Sequence, residues 1–113
     1  RANQEYTILK ILLEEKEAHP EDTRTSFYLA RTYNVIGNHT EAIEEFKRRV
    51  SLGGWQEEVY QSLFSIAEQL VRLHAPWPEI QQAYLDAYEH SPHRAEPIYQ
   101  IGLHYSRKSQ FAA

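Results

Sequence analysis

The chain contains no cysteine and no methionine among its 113 residues. Without cysteine there is no disulfide framework and no thiolate metal site, and the usage fits a reducing, cytoplasmic setting. Without methionine the sequence does not open on an initiator residue, and we expect it to be a piece of a longer polypeptide. Long apolar runs are missing too. None approaches the roughly 18 residues needed to span a bilayer, and no secretory leader is visible, so no membrane partner is expected. Positive charge is in deficit, with 12 Lys and Arg against 16 Asp and Glu and a net charge of −4. That balance argues against a nucleic-acid partner, whose binders carry a basic surplus. Four glycines and five prolines are few, and Gly37, Gly53-Gly54, Pro20, Pro76 and Pro92 read as breaks between elements.

What is present is a repeat. Leu29-Ala30-x-x-Tyr33 returns as Ile66-Ala67-x-x-Leu70 and as Ile101-Gly102-x-x-Tyr105, the small residues lying 37 and 35 positions apart. Such a period marks a stack of similar units, each too small to bury its apolar face alone. Only helical spacing persists along the chain, and it predicts five helices and the start of a sixth. The first covers Asn3 to Ala18, with Ile8, Ile11, Leu12 and Lys16 along one side, and ends before Pro20. The second is capped by Asp22 or Thr23 and stops at Gly37. The third is capped by Asn38 or Thr40 and broken by Gly53-Gly54. The fourth runs from about Trp55 to Leu73, the fifth takes Pro78 in its first turn, and the sixth begins near Ala95 with Pro97 in its first turn. Short connections make neighbouring helices antiparallel. Ala30, Ala67, Gly102, Ala42 and Ala87 are the expected points of close helix approach, with Tyr33, Phe46, Tyr84 and Tyr105 filling the gaps. An unrelated helical bundle has no reason to repeat a small residue at this interval.

These residues resemble the tetratricopeptide repeat over essentially the whole chain. Leu29, Ala30, Tyr33, Gly37, Ala42 and Phe46 match one repeat across 23–54. Ile66, Ala67, Tyr84, Ala87 and Pro92 match a second across 55–92, with a long first helix. Ile98, Ile101, Gly102, Tyr105 and Phe111 open a third across 95–113 that is cut short, and 3–20 looks like the second helix of a preceding repeat. The fold this resemblance implies is all-α: a right-handed superhelix of antiparallel helix hairpins forming one domain. Three segments depart from the general repeat pattern: Arg24 to Tyr33, Gly53 to Glu58 and Pro92 to Pro97. Together they resemble the repeat region that follows the catalytic domain of family-two, sugar-nucleotide-dependent glycosyltransferases. The Asp-x-Asp metal motif of that catalytic domain is absent, so the resemblance implies a parent transferase and no catalytic residue or cofactor in this chain.

In stacks of this kind the first helix of each hairpin lines the concave face. The repeat phase then turns inward Arg24, Phe27, Arg31 and Asn34, then Gln61, Phe64, Glu68 and Arg72, then Glu96, Tyr99, Leu103 and Arg107. An aromatic recurs at one equivalent place (Phe27, Phe64, Tyr99) among several arginines. Both residue types anchor protein interfaces, and arginine pairs bidentately with carboxylate or phosphate. The expected partner is a protein or peptide in that groove, with nucleotide-sugar or acceptor-carbohydrate recognition as the alternative. The competing assignment is that the aromatics only pack between helices. Self-association is expected through the last helix, whose Ile98, Ile101 and Tyr105 have no following helix to cover them. Other constellations read as structural: Trp55 as an aromatic stapling the fourth helix to the preceding hairpin, with stacking on a ligand as its alternative; His90-x-x-His93 as no metal site, since Ser91-Pro92 interrupts it and no further ligand completes a set; and Glu14, Glu15 and Glu17 as a solvated helix face.

Overall fold

The computed structural model describes residues 2–112, with side chains from 4 to 109. Phe111, one of the residues that carry the repeat resemblance, lies outside the described side chains. The described residues form six α-helices: α1 (Ala2–Ala18), α2 (Thr23–Ile36), α3 (His39–Leu52), α4 (Gln56–Arg72), α5 (Trp77–His90) and α6 (Glu96–Ala112). No strand occurs among them. No helix there is long and apolar enough to cross a membrane.

Local chemistry sets the boundaries. The Asp22 carboxylate accepts from the backbone N–H of Arg24 at 3.0 Å and of Thr25 at 3.3 Å, satisfying two orphan donors at the start of α2. Gly37 ends that helix in the left-handed region at φ 98°, where an L side chain is strained, and its N–H returns to Tyr33 O at 3.0 Å. Asn38 makes no side-chain cap bond to α3, contrary to expectation, and the first turn opens on a backbone bond from Ala42 N–H to Asn38 O. Pro78 stands in the first turn of α5, where its missing N–H costs nothing.

Each helix packs on its chain neighbours, and α2 also touches α4, so the molecule grows in one direction to 54 × 30 × 20 Å. Its radius of gyration of 15.5 Å exceeds the ~13 Å of an equally long compact domain. The core is a seam along α2 to α5 built on Ala30, Ala42, Phe46, Ile66, Ala67, Ile80, Ala83 and Tyr84. Ala30, Ala42, Ala67 and Ala87 are fully buried, as their spacing predicts. Gly102 is not: a Cβ there would meet nothing within 4 Å, because no described element packs on that side of α6.

Two expectations about helix faces change. On α1 the half-buried residues are Glu5, Leu9, Leu12 and Lys16, while Ile8 and Ile11 remain 43% and 58% exposed. In that rotation the Lys16 ammonium donates to Glu45 Oε2 on α3, whose other carboxylate oxygen accepts from Ser26 Oγ at 3.3 Å. Trp55 is not buried against the preceding hairpin as a staple would be, and meets it through the Arg24 guanidinium. It occupies the cap position of α4 with 60% of its surface exposed. An ion pair fastens that junction instead. Arg49, wholly buried, donates from Nε to Glu58 Oε1 at 2.6 Å and from Nη1 to the Gly53 carbonyl, while its Nη2 finds no acceptor among the described residues.

Candidate functional site

A cleft of about 490 Å³ opens between α2 and α4, with Arg24, Phe27, Tyr28, Arg31 and Asn34 on the α2 side and Glu57, Glu58, Gln61 and Ser65 on the α4 side. Trp55 stands at one end and the buried Phe46 forms part of the floor. Helical spacing explains the α2 wall: residues 24, 27, 28, 31 and 34 recur at three- and four-residue steps and share one face.

The cleft is an aromatic and arginine surface. The Arg24 guanidinium lies 5.4 Å from the Tyr28 ring centroid and 5.9 Å from that of Trp55. Its Nη2 also donates to Tyr28 Oη at 2.7 Å, and this bond leads the interactions that raise the arginine's pKa further. Arg31 lies over Phe27 at 5.6 Å. Among the described residues neither arginine reaches a carboxylate within ion-pair distance. Glu58 attracts Arg24 only from further off.

The acidic residues of the cleft are committed elsewhere. Glu58 is sealed against Arg49. Glu57 accepts from Gln61 Nε2 at 3.0 Å and from Arg94 in the α5–α6 connection. These bonds, Gln61's first, hold the Glu57 carboxyl below the usual glutamate range. The three segments that depart from the repeat pattern therefore meet at one place: Arg24–Tyr33 supplies one wall, Gly53–Glu58 the end and part of the other wall, and Pro92–Pro97 the arginine that clasps Glu57.

The remaining residues of the expected groove are distributed along the same series of helices. Gln61, Phe64 and Glu96 line a second hollow of about 430 Å³ with Tyr60, Arg94 and Ala95. Arg94 lies 4.3 Å from the Tyr60 ring centroid there. Arg107 lines a third hollow of about 420 Å³ with His74, Trp77, Tyr84 and His104. Glu68, Arg72, Tyr99 and Leu103 line none of these three hollows. Glu68 titrates above the usual glutamate range because its surroundings desolvate it, an effect that Arg72 opposes and Glu96 reinforces.

The recurring aromatics divide. Phe27 packs edge-on against Phe46 at 6.2 Å, and Phe64 meets Tyr84 at 5.6 Å, so each rests half-buried on the following helix of its pair. Tyr99 is 60% exposed. The groove expected from the repeat phase omits Tyr28 and Trp55. Tyr28 was findable, since it neighbours Phe27 and stands four residues after Arg24. Trp55 was visible in the sequence as a possible stacking aromatic, but its place at a helix entrance left its direction open.

Of the histidines, His90 is engaged at both ring nitrogens. Its Nε2–H donates to Gln56 Oε1 and its Nδ1 accepts from Ser91 Oγ, each at 2.8 Å. His104 stacks face to face on Trp77 at 3.5 Å, while Trp77 Nε1 donates to Tyr105 Oη and Tyr105 to Gln81. Tyr105 is thereby tied to α5 even though it is 49% exposed. No protein-family model matches this sequence, and no curated protein is significantly similar to it.

Proposed function

We propose that this chain is a non-catalytic interaction module: a tetratricopeptide-type stack of helix hairpins, wound as a right-handed superhelix, that captures a peptide or another domain along the α2, α4 and α6 side. The observation that carries this reading is the α2–α4 cleft, where exposed Trp55 and Tyr28 stand beside two arginines that have no ion-pair partner among the described residues. Aromatic and arginine side chains concentrate binding energy at protein interfaces. On the resemblance to the appended repeats of family-two glycosyltransferases, the natural partners are the transferase domain of a longer parent or a second copy of the chain.

Display of a random peptide library against the chain tests the reading. Selected peptides should lose binding to an Arg31→Glu/Phe64→Ala double variant whose helical circular dichroism is unchanged. Equal binding by the variant sinks the assignment of this face.

A second reading has its own support. The exposed faces of Trp55 and Tyr28 suit stacking on a sugar ring, so the module could recognise an acceptor carbohydrate or a nucleotide sugar for a parent transferase. Calorimetric titration with oligosaccharides and nucleotide sugars separates the two, and the absence of heat counts against this one.

A further inference from the structure

Resting on the peptide-capture reading, we infer that the α2–α4 cleft takes an extended acidic peptide segment, with carboxylates at Arg24 and Arg31 and an apolar side chain between them against Phe27. The protein carries a net charge of −4, yet in this cleft Glu58 and Glu57 are paired from outside by Arg49 and Arg94, while Arg24 and Arg31 reach no carboxylate within ion-pair distance among the described residues. A cleft whose acids are already paired and whose arginines are not is locally cationic, and arginine binds carboxylates through paired N–H donors.

Arg24 and Arg31 stand seven positions apart, which places their Cα atoms about 10 Å apart along α2. An extended peptide rises about 3.3 Å per residue, so acidic residues three positions apart span the required distance. Phe27 stands between the arginines in sequence on the same face of α2, and its half-buried ring, which Arg31 partly covers, is the apolar contact for the residue in the middle. A neutral carbohydrate would leave both charges unused.

Arg94 belongs to neither wall of the cleft, yet its bond to Glu57 removes a carboxylate that would repel an acidic segment. Its contribution to affinity is therefore electrostatic and acts through Glu57.

The test is a fluorescence titration of the Trp77→Phe variant, which leaves Trp55 as the sole tryptophan. The probes are blocked tetrapeptides, Glu-Leu-Phe-Glu, Gln-Leu-Phe-Gln and Lys-Leu-Phe-Lys, with uridine diphosphate as a fourth ligand. The acidic peptide should bind about tenfold more tightly than the neutral one, with the lysine peptide weakest. The advantage should shrink toward 1 M salt, where charges are screened beyond about 3 Å. Arg31→Gln should remove it, and Arg94→Ala should reduce it about threefold while Arg94→Ala/Glu57→Gln restores it, a rescue that a purely structural role for Arg94 does not produce. Equal affinity for acidic and neutral peptides overturns the acidic assignment and leaves peptide capture standing. No response to any peptide at millimolar concentration, from a chain with intact circular dichroism, overturns both. A response to uridine diphosphate alone overturns both in favour of nucleotide-sugar recognition.

Discussion

Arg49 and Glu58 form an ion pair at 2.6 Å across the Gly53-Gly54 break, with side-chain exposures of 0% and 4%. Two charges removed from water this completely depend on one another. Glu58→Ala should lower unfolding free energy by about 3–5 kcal/mol, because it strands a buried guanidinium. Urea denaturation measures the loss. The paired replacement Arg49→Met/Glu58→Leu should recover much of it, and a double variant no more stable than Glu58→Ala would contradict the explanation.

The ends of α2 give a smaller, separable effect. Asp22→Ala removes the side-chain cap and should cost about 1 kcal/mol. Gly37→Ala should cost about as much through backbone strain alone, since a Cβ there meets nothing within 4 Å. Thermal melts of the two single variants and of the double would check both magnitudes and their additivity across the helix.

Glu57 and Glu68 should titrate on opposite sides of the ordinary glutamate range, resolvable by NMR of the carboxyl carbons. Glu57 is depressed by Gln61 and Arg94, so its contribution to stability is present above its unfolded value and is lost as pH falls through the lower folded value. Glu68 is raised by desolvation, so its charge opposes folding above the raised value, and that opposition fades as pH falls through it toward the ordinary range. Glu68→Gln should accordingly be at least as stable as the parent at neutral pH. Arg94→Ala should move the Glu57 midpoint upward and leave that of Glu68 in place.

Both outer helices keep apolar side chains largely or partly exposed, Ile8 and Ile11 on α1 and Ile98 and Tyr99 on α6, whereas Ile101, expected to lie uncovered, packs against the core. Light scattering should show mass rising above 13.3 kDa with concentration, and Ile98→Lys should suppress the rise. A strictly monomeric profile at high concentration would refute this.

Helix boundaries were legible because Pro20, Gly37, Gly53-Gly54, Pro78 and Pro97 stand where the backbone changes direction, and their local chemistry needs no tertiary context. The core seam was legible through its buried alanines. The rotation of α1 was not, since Ile8, Leu9, Ile11, Leu12 and Leu13 spread around much of the helix and periodicity could not choose among them. The rotation adopted turns Leu9 and Leu12 inward and brings Lys16 to Glu45, contacts with other helices that the local pattern does not encode. The cleft was half legible. Helical phase placed Arg24, Phe27, Arg31 and Asn34 on one wall, but Trp55, the sealed Arg49–Glu58 pair and the Arg94 clasp depend on contacts between elements that no local pattern encodes.

The lock at Arg49 also decides where this molecule can be cut and rejoined. Because one guanidinium grips both the Gly53 carbonyl and the Glu58 side chain, the α3–α4 junction is a single inherited part. A designer who moved the α4–α5 hairpin into another helical array would have to carry Arg49 with it or replace both ends of the pair. Recombination between arrays would survive more readily at the exposed Pro20–Glu21 turn, provided that Arg48, whose Nη2 donates to the Pro20 carbonyl, finds another acceptor.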